Sequence, residues 1–147
     1  MNKKVLNFID GKSQSNSDEV MSIYDPSLGL KIKEVVNSND QDLQNCMTSS
    51  LKAFELWSKF TPLKRSRVIA KYKQLIENNL ETLSKLVSEE HGKTLDDAKG
   101  SVIRGLEVVE FACGIPHLLK GEFSQNVGSD IDSWSIRQPL GVTVGIT

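Results

Sequence analysis

Four places in this chain hold residue types that could do chemistry. His91-Gly92-Lys93-Thr94 contains the Gly-Lys-Thr of a phosphate-binding loop, in which backbone amides and a lysine cradle phosphate oxygens. The first glycine of such a loop belongs five positions before Gly92, and Val87 stands there. Lys93 and Thr94 therefore read as solvated residues at a helix break. Cys113 and His117 lie four apart, a spacing that would put a thiol and an imidazole on one face of a continuous helix, as in an activated nucleophile. Pro116 falls between them, so a cysteine serving as a small core residue is the plainer reading.

Arg104 sits beside Gly105 and three residues before Glu107. Its forked donors suit a carboxylate-bearing ligand. The plainer alternative is an exposed i,i+3 ion pair with Glu107. Arg65 and Arg67 fall just inside a predicted helix, where solvated charges, pairing along the helix and a tertiary salt bridge are all compatible with the sequence.

The elements that must position these residues can be read from periodicity. Val5 to Ile9 is apolar, Asp10-Gly11 is a hairpin turn signal, and Lys12 begins a polar return strand. Asp25-Pro26-Ser27 with Gly29 marks a second turn, followed by the alternating strand Leu30 to Val36. From Ser38 or Asn39, either of which can cap a helix, apolar residues recur at Leu43, Met47, Leu51, Phe54 and Trp57. Thr61-Pro62 restarts a helix with proline at its first position. Val68, Ile69, Tyr72, Leu75 and Ile76 form its stripe, until Asn78-Asn79 weaken it. Leu80, Leu83, Leu86 and Val87 carry a third helix that Gly92 can end in the left-handed conformation.

A fourth helix presents Leu95, Ala98, Val102, Leu106, Val109 and Cys113 along one face and should stop or kink at Pro116. Its glycines, Gly100, Gly105 and Gly114, each cost roughly 1 kcal/mol against alanine in a helix interior, which predicts the close approach of another helix or of a ligand. After Gly121 the pattern returns to β, with alternation over Ser133 to Arg137, a break at Gln138-Pro139-Leu140-Gly141, and a β-branched run from Val142 to Thr147. That last run predicts a buried strand of the parallel type. A strand of that type needs neighbours reached by crossover connections of a dozen or more residues, which predicts that the chain is part of a longer one.

The bulk composition bounds the function classes. The chain has 147 residues, 38% hydrophobic and 25% charged, enough for a folded domain of ordinary composition. A net charge of -1 supplies no electrostatic reason to bind nucleic acid or an anionic membrane. No apolar run approaches the roughly 20 residues that span a bilayer. The start lacks the apolar stretch of a secretory signal, and two distant cysteines form neither a disulfide framework nor a metal-ligand spacing. A reducing, cytoplasmic setting is the default expectation.

Taken in order, several stretches resemble one family. They are Phe8-Ile9-Asp10-Gly11-Lys12, Asp25-Pro26-Ser27, Ala53-Phe54 with Trp57, Arg65 with Arg67, and Glu90-His91-Gly92-Lys93-Thr94 with Asp97-Ala98. Arg104 to Pro116 and Arg137-Gln138-Pro139-Leu140-Gly141-Val142 complete the set. In this order and spacing they resemble the aldehyde dehydrogenase superfamily, and within it the coenzyme A-acylating methylmalonate-semialdehyde dehydrogenases.

The resemblance implies an α/β fold of the aldehyde dehydrogenase type, amino-terminal part only. Residues 1–121 would be the β-hairpin and helical part of the NAD-binding domain, 122–138 part of an oligomerisation hairpin, and 139–147 the first strand of the dinucleotide-binding core. It further implies NAD as cofactor, coenzyme A as acyl acceptor, and a homo-oligomer, dimer or tetramer, for the full-length enzyme. Arg104 would hold the substrate carboxylate, and Ile146 and Thr147 would begin the loop lining the NAD site. The family's chemistry runs through a cysteine thiolate adding to the aldehyde, with hydride passing to NAD. That cysteine belongs to later sequence, so 147 residues alone would be inactive. A hydrolytic semialdehyde dehydrogenase and a non-catalytic helical partner-binding module are the alternatives.

Overall fold

The computed structural model describes residues 3–146. The chain begins with three short strands, β1 (Lys3–Val5), β2 (Asn7–Ile9) and β3 (Lys12–Gln14), followed by β4 (Val20–Asp25) and β5 (Leu30–Val36). β2 and β3 form the expected hairpin, with Ile9 opposite Lys12. Asp10 (φ 52°) and Gly11 (φ 73°) occupy the turn, both in the positive-φ region that a two-residue hairpin requires. β1 does not continue into β2. It pairs in parallel with β5, Val5 beside Val35, while β4 pairs with β5 antiparallel, giving a three-stranded sheet in the order β1-β5-β4. The β4–β5 turn is held by the Asp25 carboxylate, which accepts from the backbone N–H groups of Ser27 at 2.8 Å and Leu28 at 3.3 Å.

Four helices follow: α1 (Asp40–Trp57), α2 (Pro62–Asn78), α3 (Leu80–His91) and α4 (Leu95–Cys113). Their ends are set by the residues the sequence offers. Asn39 caps α1 in a capping box with Asp42, Thr61 caps α2 ahead of Pro62, and Thr94 caps α4. Gly92 ends α3 at φ 78°, a conformation costly for any residue with a Cβ. α4 packs against both α2 and α3. The buried residues on α3 and α4 are small, Ser84 and Ala98, each 0% exposed, which lets the helices approach closely. Ion pairs brace the outside: Lys33 with Glu90 at 3.2 Å ties β5 to α3, Lys99 with Glu81 at 2.8 Å ties α4 to α3, and Lys73 with Glu110 at 3.3 Å ties α2 to α4.

α4 stops at Cys113, Gly114 caps it, and a short helix, α5 (Ile115–Leu118), starts with Pro116 in its first turn. A second hairpin, β6 (Phe123–Gly128) with β7 (Ile131–Trp134), sets Phe123 opposite Trp134. Its base closes where the Ser135 N–H donates to the Glu122 carbonyl at 2.9 Å. A Cβ on Gly121 would collide with the Ser135 carbonyl, so only glycine fits there.

Over its described residues the strand predicted from Val142 is not formed. Residues 142–146 adopt neither helix nor strand, and Thr147 lies outside the described residues. The physical reason is that a strand exists by exchanging hydrogen bonds with a neighbour, and none of the described strands pairs with this segment.

Burial is thin for a chain of this size. Among the described residues, the buried apolar side chains are Ile9, Val36 and Ala98. The exposed surface is 11627 Å², whereas a compact monomer of 16.3 kDa would expose about 7,500 Å². Apolar residues on all sides of the helices contribute: Leu43, Leu51, Val68, Tyr72, Leu75, Val108 and Phe111 are all exposed.

Candidate functional site

The predicted site residues fall in two places. Arg104 lies on the exposed side of α4, and Ile146 lies in the irregular segment after Gly141. No described hydrogen bond or ion pair joins the two places.

Arg104 does not pair with Glu107. Its guanidinium turns back toward the start of α4, where Nη2 donates to the Ser101 hydroxyl at 3.1 Å. It passes over Gly100, whose missing Cβ would stand 3.5 Å from Nη1. Lys93, in the turn between α3 and α4, reaches the same oxygen, its Nζ lying 2.9 Å from Ser101 Oγ. The Ser101 hydroxyl in turn donates to the Asp97 carbonyl at 3.1 Å. Lys93 is thus no solvated cap: it is half-buried and committed to Ser101, while Thr94 does the capping. Among the described residues, neither Lys93 nor Arg104 pairs with a carboxylate. Two cations around one neutral oxygen form a place where an anion is electrostatically favoured.

The other candidates separate. The break at Gly114 takes Cys113 and His117 off a common helix, and the Cys113 thiol donates to the Val109 carbonyl at 3.4 Å. No hydrogen bond joins it to His117. Cys46 is exposed on α1. Arg65 lines a cleft of about 390 Å³ with Trp57, Pro62 and Arg137, and neither arginine pairs with an acid among the described residues. The close approach expected at the glycines of α4 is not met at Gly100 or Gly105 among the described residues. A Cβ on Gly100 would make only an ordinary contact with the Arg104 side chain at 3.5 Å, and a Cβ on Gly105 would meet nothing within 4 Å. Gly105 borders an apolar groove between α2, α3 and α4 that contains Tyr72, Leu86 and Leu106.

The sequence and the fold of this chain have counterparts among known proteins. The family model described as "Aldehyde dehydrogenase family" matches residues 12–147. The chain belongs to the aldehyde dehydrogenase family. It is 45% identical over 139 residues to a malonate-semialdehyde dehydrogenase of Pseudomonas aeruginosa, covering 95% of this chain and 28% of the relative. It is 40% identical over 140 residues to a mouse methylmalonate-semialdehyde/malonate-semialdehyde dehydrogenase [acylating], mitochondrial, covering 95% of this chain and 26% of that protein. A Sinorhizobium meliloti chain assigned as a methylmalonate-semialdehyde dehydrogenase, crystallised with NAD, superposes with a TM-score of 0.90. That match is 44% identical and covers 96% of this chain and 29% of the other. The chain therefore spans under a third of the length of these relatives, and its fold is the amino-terminal part of the aldehyde dehydrogenase fold.

NAD accompanies a solved relative of this family, and the expected NAD-lining residue Ile146 belongs to the last described stretch of the chain. Ile146 is 96% exposed, and the irregular segment around it offers no strand-to-helix turn with amides aimed at a pyrophosphate. Thr147 lies outside the described residues.

Proposed function

We propose that this chain is the amino-terminal segment of an NAD-dependent dehydrogenase acting on malonate or methylmalonate semialdehyde, with Arg104 holding the substrate carboxylate. The observation that carries the reading is continuity of similarity: 44–45% identity over nearly the whole chain to proteins named for those semialdehydes. Arg104 supports it from the chain's own geometry, because its guanidinium is exposed and not neutralised by an acid among the described residues. Such a group binds and orients a carboxylated aldehyde while leaving the aldehyde end free to react elsewhere. When bound, NAD supplies the hydride acceptor.

Release of the acyl group to coenzyme A follows the word "acylating" in the name of the mouse relative. The products would then be acetyl-CoA or propanoyl-CoA with loss of carbon dioxide. The exposed β6–β7 hairpin, in which Phe123 and Trp134 are 65% and 67% exposed, suits a contact in a homo-oligomer, since a lone two-stranded ribbon is marginally stable in water. The exposed apolar residues of the helices suit coverage by further polypeptide of the same enzyme. By this reading the 147 residues alone are inactive.

The test is a chimera in which residues 1–147 replace the matching part of the P. aeruginosa relative. The expected result is reduction of NAD with malonate semialdehyde, dependent on coenzyme A. Turnover without coenzyme A would point to the hydrolytic alternative. A soluble, folded chimera with no semialdehyde-dependent NADH formation would contradict the reading.

A further inference from the structure

We propose that Lys93 joins Arg104 in holding the carboxylate of the semialdehyde, and that Ser101 is the residue positioning both; this rests on the substrate reading given for Arg104. A serine hydroxyl has one proton to donate and two lone pairs to accept with. Here all three are engaged. Lys93 Nζ and Arg104 Nη2 donate to it at 2.9 and 3.1 Å, and it donates to the Asp97 carbonyl at 3.1 Å, which anchors it to the first turns of α4.

The saturated hydroxyl has two consequences. It restrains two long side chains that would otherwise sample many rotamers, so less ordering remains to be done when an anion binds. It also keeps their charged heads within about 6 Å of each other, a separation at which like charges repel and an intervening anion is attracted to both. Acids close in sequence do not neutralise the pair among the described residues. Glu90 pairs with Lys33, the Asp97 contact is through its carbonyl, and Glu107 makes no ion pair with Arg104. Among the described residues Arg104 uses one of its five donors and Lys93 one of its three in side-chain hydrogen bonds. A carboxylate can therefore take one oxygen from each cation.

The test uses the complete dehydrogenase carrying these residues, in the chimera described above, with Lys93→Gln, Ser101→Ala, Ser101→Thr and Arg104→Leu compared on malonate semialdehyde and on propanal, which has a methyl group where the semialdehyde has its carboxylate. Lys93→Gln and Ser101→Ala are each expected to raise KM for the semialdehyde roughly threefold to tenfold, with kcat and the propanal constants unchanged. Ser101→Thr, which keeps the hydroxyl, is expected to restore the original KM. The thermal shift given by malonate, which needs no turnover, should shrink in Lys93→Gln and Ser101→Ala alike. If Arg104→Leu is selective for the semialdehyde while Lys93→Gln and Ser101→Ala affect both aldehydes equally or neither, the two-cation site is overturned and the Arg104 reading stands. If Arg104→Leu itself shows no selectivity, both fall.

Discussion

Asp42 and Asn16 join the start of α1 to the segment that follows the first hairpin: the Asn16 backbone N–H donates to the Asp42 carboxylate at 2.7 Å, and the Asn16 side-chain amide donates to the same oxygen at 3.0 Å. Asp42 also accepts from the Ser15 hydroxyl and from the Asn39 N–H that closes the capping box. With 2% of its surface exposed, it serves as cap and tertiary strap at once.

Acid should undo this strap. Burial pushes the Asp42 carboxyl up, but the hydrogen bonds from Asn16, Asn39 and Ser15 outweigh it and hold the group below the ordinary value of 3.8. A carboxylate depressed in the folded state contributes stability that is present above its unfolded pKa and is lost as pH falls through the folded one. The contribution is therefore complete at neutral pH and fades below 3.8. Asp42→Asn in the chimera should melt earlier at neutral pH and lose less on acidification than the parent. Parallel melting curves at every pH would show that Asp42 does not titrate with folding.

Gly92 should not tolerate a side chain. Its φ of 78° is strained for alanine, and a Cβ would stand 3.1 Å from Pro26 Cβ and Cγ in the β4–β5 turn. Gly92→Ala is expected to destabilise by roughly 1–2 kcal/mol in urea unfolding of the chimera. Gly105→Ala, which meets nothing within 4 Å, should instead be neutral or stabilising by roughly 0.5–1 kcal/mol. A reversed order would refute this account of the two glycines.

The helix ends and the first hairpin were legible because their signals are local. Asn39, Thr61, Gly92 and the Asp10-Gly11 pair act within four residues of themselves, and the structure uses each as its chemistry suggests. What escaped the sequence depends on distant partners. The parallel pairing of β1 with β5 joins Val5 to Val35 across two hairpins, and the run from Val142 forms no strand because nothing described pairs with it. At the site, Arg104 was visible through its motif. The meeting of Lys93 with Ser101 was not, since eight residues and a helix start separate them. An i,i+3 pair with Glu107 was the natural local reading, and the Ser101 hydroxyl competed successfully for the guanidinium.

The large exposed surface has a consequence for the isolated chain. Residues 1–147 alone should show helical far-ultraviolet circular dichroism, bind a hydrophobic dye and lack a cooperative thermal transition, because the exposed apolar residues of the helices have no cover. A cooperative transition from a monodisperse oligomer would instead favour a free-standing partner-binding module.

If Arg104 holds the substrate carboxylate of a semialdehyde dehydrogenase, Arg104→Leu in the chimera will discriminate between carboxylated and plain aldehydes. Losing a charge-assisted carboxylate contact should lower kcat/KM for malonate semialdehyde roughly tenfold to a hundredfold while leaving propanal within about twofold of the parent. Equal losses on both aldehydes, or none on either, would contradict the account and leave Arg104 as a surface residue of α4.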